Sequence, residues 1–169
     1  MLSRERFAVK VIVVHDFIGI TSAVLSCYLL SPGNKLNKPV LENGHPSMRI
    51  IIADHHPQAR AALVALLRGL PEYSVVGEAA DTSSLLDLVQ KQLADMVLLD
   101  FELPGVTLGT LLDYLHGLEQ PPKVIVMSSN PEHARIALNA GAEAFVSKGD
   151  QPDWLLAALQ RFENPEKRR

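Results

Sequence analysis

The sequence predicts an α/β fold: a five-stranded parallel sheet, doubly wound by helices. Two observations carry the prediction. Between Met48 and Leu159, short apolar or β-branched runs alternate five times with longer stretches whose apolar residues recur at helical spacing. Helix start and stop signals fall at the joints of that alternation, and polar residues gather where the strands end. Each crossover between parallel strands needs a helix and is right-handed, so such a chain covers its sheet on both faces.

The first strand is read at 48–53 (MRIIIA) and leads into a helix marked by Ala59, Ala62, Leu63, Leu66, Leu67 and Leu70. A second strand at 74–77 (SVVG) precedes a helix through Leu85, Leu88, Val89, Gln92 and Leu93. The third strand, 96–99 (MVLL), precedes Leu108, Leu111, Leu112 and Leu115. The fourth, 123–127 (KVIVM), precedes Ala134, Ala137 and Leu138. The fifth, 144–147 (AFVS), precedes Trp154, Leu155, Ala158 and Leu159. Pro57, Pro131 and Pro152 lie near helix N-termini, where a missing N–H costs nothing, and Asp81 and Asp150 are candidate caps. Gly141 is placed to end the fourth helix, because glycine turns into the left-handed region without steric cost.

A chain of 169 residues has room for one ordinary domain and a short appendage. With 47% hydrophobic and 21% charged residues, its bulk packs a core rather than staying disordered. A net charge of -3 supplies no general attraction to nucleic acid. The single cysteine, Cys27, excludes an internal disulfide framework and a cysteine-based metal site, and fits a cytoplasmic setting. Residues 11–30 are apolar enough to approach a membrane span, but His15 and Asp16 interrupt them. Membrane association through 11–30 is therefore the lesser alternative to a poorly ordered leader. Residues 31–47 are rich in Pro, Gly and Asn and lack an apolar period, as a linker does. The expected organisation is a leader and linker at 1–47, a folded domain at 48–162 and a solvated tail at 163–169.

In open parallel sheets, ligands collect at the carboxyl ends of the strands. Here Asp54, His55 and His56 follow the first strand, Glu78 the second, Asp100 the third, Ser128 and Ser129 the fourth, and Lys148 the fifth. The run DMVLLDFELPG at 95–105 shows the pattern most sharply, an apolar strand driven into a lone carboxylate and then broken by Pro104 and Gly105. Two carboxylates can hold a hard divalent cation such as Mg²⁺ through oxygen. A lysine ammonium and a serine hydroxyl can contact phosphoryl oxygens. A carboxylate among such groups is a candidate acceptor for a phosphoryl group. No glycine-rich phosphate loop, Walker motif or G-x-G-x-x-G is present, so nucleotide binding is not expected.

Four runs in order, IIIADHHP at 50–57, LLDFELPG at 98–105, VIVMSS at 124–129 and AGAEAFVSKGD at 140–150, resemble the receiver domain of two-component response regulators. The resemblance covers Met48 to about Arg161, and its HP and SKGD elements are similar to receivers attached to LuxR-type helix-turn-helix domains. It implies the CheY-like, flavodoxin-type (βα)5 sheet in strand order 2-1-3-4-5. It also implies that Asp100 is the phosphoacceptor, and that Asp54, Asp100 and the backbone carbonyl of Glu102 hold Mg²⁺. Ser128 and Lys148 match the phosphoryl contacts. Phe145 matches the aromatic that couples phosphorylation to a partner surface, with Ile136 and Trp154 beside it. The family usually places two adjacent acids after the first strand, whereas this chain has Asp54 followed by His55. Imidazole favours transition metals over Mg²⁺, so Mg²⁺ binding is expected to be weakened, with Mn²⁺ as the alternative ion.

The expected function is that of a stand-alone receiver, which takes a phosphoryl group from a histidine kinase or phosphotransfer protein and acts through protein contacts. It is not expected to be an enzyme beyond self-phosphorylation from a donor and autodephosphorylation. Few residues follow Arg161, so no helix-turn-helix and no direct DNA binding is expected, and a homodimer is compatible with the sequence. The alternative is a phospho-independent interaction module whose metal site is degenerate at His55. A dehalogenase-type phosphatase is set aside, because its D-x-D-x-[TV] pattern is met here by Asp100-Phe101-Glu102-Leu103-Pro104. His56 is read as structural, and His15, His116 and His133 show no ligand spacing and receive no role.

Overall fold

The computed structural model describes residues 48–163. The strands are β1 (Met48–Ala53), β2 (Tyr73–Ala79), β3 (Met96–Asp100), β4 (Lys123–Ser128) and β5 (Ala144–Ser147). The helices that follow them are α1 (Pro57–Arg68), α2 (Thr82–Lys91), α3 (Leu108–His116), α4 (His133–Asn139) and α5 (Pro152–Glu163). All pairings are parallel, as the alternation of strands and helices predicts, and the strand order is β2-β1-β3-β4-β5, the order that the receiver resemblance implies.

Side chains alternate across each strand, so the sheet divides the apolar residues into two cores. On one face Ile50, Ile52, Leu98 and Ile125 pack against Leu63 and Leu67 of α1 and Leu155 and Leu159 of α5. On the other, Ile51, Val97, Leu99 and Val126 meet Leu85 of α2, Leu111, Leu112 and Leu115 of α3 and Ala137 of α4. The central strand β3 is buried at every position, which explains why its sequence is a continuous apolar run rather than an alternating one. Among the described residues no helix is long and apolar enough to cross a membrane, and the apolar stretch 11–30 lies outside them.

The local signals acted mostly where they were read. Asp81 accepts the Ser84 amide at 2.8 Å and Ser84 Oγ accepts the Asp81 amide at 3.3 Å, a reciprocal cap for α2. Gly141, at φ 104°, ends α4 with its own N–H on Leu138 O and the Ala142 N–H on Ala137 O. Three expectations need correction. Strand β2 runs longer than SVVG, and its register slips between Ile50 and Ile51, so that Val76 is an extra residue in the ladder. Leu70 and Leu93 fall beyond the ends of α1 and α2, and Leu93 is 64% exposed. Asp150 does not stand at the start of α5: its amide bonds Ser147 O, two residues before Pro152, and its Oδ1 is buried without a hydrogen-bond partner. That burial pushes the Asp150 carboxyl above its ordinary value.

The loop after β3 is tied to the start of α2, because Pro104 O accepts both the Thr82 amide at 2.8 Å and the Thr82 hydroxyl at 2.9 Å. Gly105 follows at φ 128°, and a Cβ there would stand 2.5 Å from Thr82 Cβ and Oγ1. At Gly141 the same atom would come no nearer than 3.1 Å, to a ring carbon of His116. Gly141→Ala should therefore cost about 1–2 kcal/mol for its left-handed backbone alone, and Gly105→Ala more, because the strain adds to an overlap with Thr82. Urea unfolding of the two variants checks the order; equal losses would mean that the Thr82 contact yields freely.

Candidate functional site

Strand register assembles the site. Ala53 pairs with Leu99, so the next residues, Asp54 and Asp100, leave the sheet side by side. Asp100 pairs with Met127 and Ser128 with Ser147, which brings Ser128 and the following Lys148 to the same rim. Each strand end is then pinned: Asp54 N–H bonds Ala79 O at 3.0 Å, Phe101 N–H bonds Met127 O at 2.9 Å, and Lys148 N–H bonds Ser128 O at 2.9 Å.

Both carboxylates are buried, Asp54 fully and Asp100 to 2% exposure, so they lack a water shell and depend on protein donors. Lys148 supplies the main one, with Nζ 2.7 Å from Asp54 Oδ2 and 2.9 Å from Asp100 Oδ1. The His56 amide donates to Asp54 Oδ1 at 2.8 Å, and the Glu102 amide to Asp100 Oδ1 at 3.3 Å. His55 Nδ1 lies 2.5 Å from Asp100 Oδ2, and His56 Nδ1 lies 3.4 Å from Asp54 Oδ1. Burial pushes the Asp100 carboxyl up, but the hydrogen bond and charge of Lys148, together with His55 and the Glu102 amide, outweigh it and hold the group below its ordinary value. Arg60 braces the rim from α1, donating to Asp54 O at 2.6 Å and standing 3.7 Å from Glu78, whose side chain is itself largely exposed.

Of the residues read from the sequence, Lys148 joins Asp54 to Asp100, and His55 meets Asp100 at its other side-chain oxygen. Ser128 is buried at the rim, but its hydroxyl is engaged elsewhere: it lies 2.8 Å from His133 Nδ1 and accepts the Asn130 amide at 3.1 Å. Ser129 is exposed. The His133 ring in turn stacks on Phe101, the neighbour of Asp100, at 3.7 Å between centroids and 15° between planes. Sequence reading assigned His133 nothing, because its partners are set by the turn between β4 and α4 rather than by any ligand spacing. The ring of His56, read from the sequence as structural, stands beside the carboxylate cluster, 3.4 Å from Asp54 Oδ1. Phe145 is half-buried against the α2–α4 core, while Ile136 and Trp154 are 51% and 44% exposed on α4 and α5.

The comparisons with known proteins accord with this geometry. Residues 50–160 match the response regulator receiver domain family. The chain belongs to that family. It is 32% identical over 111 residues to the NarL transcriptional regulatory protein of Mycobacterium tuberculosis, covering 64% of this chain and 51% of the relative. To the nitrate/nitrite response regulator NarL of Escherichia coli it is 30% identical over 123 residues, covering 72% and 56%. The solved receiver domain of the M. tuberculosis NarL superposes with a TM-score of 0.65 at 27% identity, covering 72% of this chain and all of that one. RcsB of Salmonella enterica, solved bound to promoter rprA with the phosphomimetic BeF3-, superposes at 0.64 and 28% identity, covering 72% and 62%. The chain spans about half the length of the curated relatives it matches.

Receiver domains bind Mg²⁺ through acidic residues. Asp54 and Asp100 offer such oxygen here, while at position 55, where the family usually has a further acid, an imidazole rests on Asp100 and supplies nitrogen instead, which Mg²⁺ does not favour. Asp100 and Asp54 nevertheless keep the lysine that neutralises them. Lys148→Met, which leaves two buried carboxylates without their cation, should cost about 3 kcal/mol at neutral pH. Because Asp100 is depressed in the folded parent, its stabilising contribution is present above the ordinary carboxylate value and is lost as pH falls through the depressed one. The stability gap between parent and variant should therefore narrow on acidification. Urea midpoints at neutral pH and at a pH below the ordinary carboxylate range check this, and a gap independent of pH would contradict it.

Proposed function

We propose that the chain is a receiver module of phosphorelay signalling in which Asp100 accepts a phosphoryl group from a histidine kinase, a phosphotransfer protein or a small phosphodonor. The observation that carries this reading is Lys148 bridging Asp54 and Asp100 at 2.7 and 2.9 Å on a buried rim. An Asp100 oxygen attacks phosphorus, forming a P–O bond while the bond from phosphorus to the donor breaks and its electron pair leaves with the donor. Lys148 is placed to take up charge on the phosphoryl oxygens. Ser128 stands at the same rim with its hydroxyl 2.8 Å from His133 Nδ1, which joins the phosphoryl contact on β4 to the start of α4.

The output follows from where α4 and α5 face solvent. Ile136 and Trp154 are exposed apolar groups there, and Phe145 lies between that face and the core. We assign this face to a protein partner, which can be a second copy of the chain. The described residues contain the receiver alone, and we assign them no DNA contact, although RcsB is recorded on a promoter. A second reading, signalling without phosphorylation, is favoured by one observation: His55 sits on Asp100 Oδ2 at 2.5 Å and must withdraw before that oxygen is free.

Acetyl phosphate with a divalent ion, followed by intact-mass analysis, separates the two readings. The parent chain should gain one phosphoryl group and Asp100→Asn none. A parent that stays unmodified with every ion tried, while binding its partner unchanged, would establish the second reading. A modified Asp100→Asn would place the acceptor elsewhere.

A further inference from the structure

We propose that the rim binds one divalent transition ion of the Zn²⁺ class, ligated by His55 and His56 together with Asp54 and Asp100. One ligand atom from each of these four residues lies within 4.8 Å of all the others. A four-coordinate ion with bonds of about 2.0–2.2 Å needs its ligand atoms roughly 3.5 Å apart. His56 Nδ1 already stands 3.4 Å from Asp54 Oδ1. His55 Nδ1 is closer to Asp100 Oδ2, at 2.5 Å, so the exposed imidazole edge must draw back by about an ångström to admit the ion. The two rings stand 3.7 Å apart and are tilted by 47°, and one nitrogen of each belongs to the four-residue cluster.

The two oxygens of Asp54 divide the work: Oδ2 keeps the Lys148 ammonium at 2.7 Å as its counter-charge, while Oδ1 is the one turned to the histidines, with His56 Nδ1 at 3.4 Å. Access runs in the right order too. His56 and His55 have side chains 56% and 30% exposed, while the carboxylates are buried, so an ion arriving from solvent meets nitrogen first and oxygen second.

The exchange of an acid for His55 also changes which ion is favoured. It removes one negative charge and one hard oxygen from the site and adds a borderline nitrogen. That penalises Mg²⁺, which demands oxygen, and favours ions that bind neutral imidazole strongly. The other described histidines do not compete, since His116 faces Glu143 at 4.0 Å and His133 is held by Ser128 and Phe101. This site goes beyond the phosphoacceptor reading and needs no phosphorylation, so the two can fail separately.

Calorimetry of the full chain without phosphodonor, using Zn²⁺ against a chelating competitor and Mg²⁺ directly, tests the proposal. One Zn²⁺ should bind per chain at least about 100-fold more tightly than Mg²⁺, and raise the thermal midpoint. His55→Ala and His56→Ala should each weaken Zn²⁺ roughly tenfold or more, and the double variant should lose the thermal shift. His55→Asp should narrow the preference by strengthening Mg²⁺. Zn²⁺ affinity unchanged in the double variant would put any bound ion elsewhere in the chain and overturn the proposal. So would Mg²⁺ binding as tightly as Zn²⁺ in the parent.

Discussion

Two buried carboxylates share one lysine, and much of the rest of the site follows from that constraint. Asp54 and Asp100 emerge from adjacent parallel strands with almost no exposure, a placement that like charges do not tolerate alone. Lys148 makes it tolerable, and Lys148 reaches them only because β5 pairs with β4 in the register that sets Ser147 opposite Ser128. The pinned strand ends and the tether from Thr82 to Pro104 hold the loops that carry these groups. The apolar cores on the two faces thus serve the site by fixing register, since a slip of one residue would turn every side chain to the other face.

Much of this was legible in the sequence, for a physical reason. A buried parallel strand is a continuous apolar run, so its end is visible as the first polar residue; that marks Asp54, Asp100 and Ser128 as rim positions, and Lys148 one residue beyond Ser147. The order of strands determines which of these ends converge. What periodicity does not encode is the path of side chains across a turn. The contact of His133 with Ser128 and its stack on Phe101 depend on how the residues from Ser129 to Glu132 fold back, and no spacing rule reports that. The extra residue at Val76 was equally hidden, because a ladder irregularity leaves the apolar pattern of β2 nearly intact. Asp150 misled in the opposite way: its residue type suits a cap, but its amide is committed to Ser147 and the helix begins two residues on.

Position 55 is where local chemistry departs from the family while the fold does not. The imidazole fills the space beside Asp100 and offers a hydrogen bond or charge that an acid there would not. With Lys148 on Asp54 Oδ2 and Asp100 Oδ1 and imidazole on Asp100 Oδ2, the rim is partly satisfied by the protein itself. Any group that takes the place beside Asp100 Oδ2 has to draw His55 back from that oxygen. Family membership and local chemistry therefore answer different questions: the first sets the architecture, the second sets what the rim can bind and do.

The shared lysine is tested most directly by following the Asp100 side-chain carboxyl carbon by NMR through an acid titration of the parent chain. The account predicts that Asp100 titrates below the ordinary carboxylate range, because the hydrogen bond and charge of Lys148, with His55 and the Glu102 amide, outweigh its burial. Titration at or above that range would mean that desolvation wins, that Lys148 does not bridge the carboxylates in solution, and that the rim is not the assembled site described above.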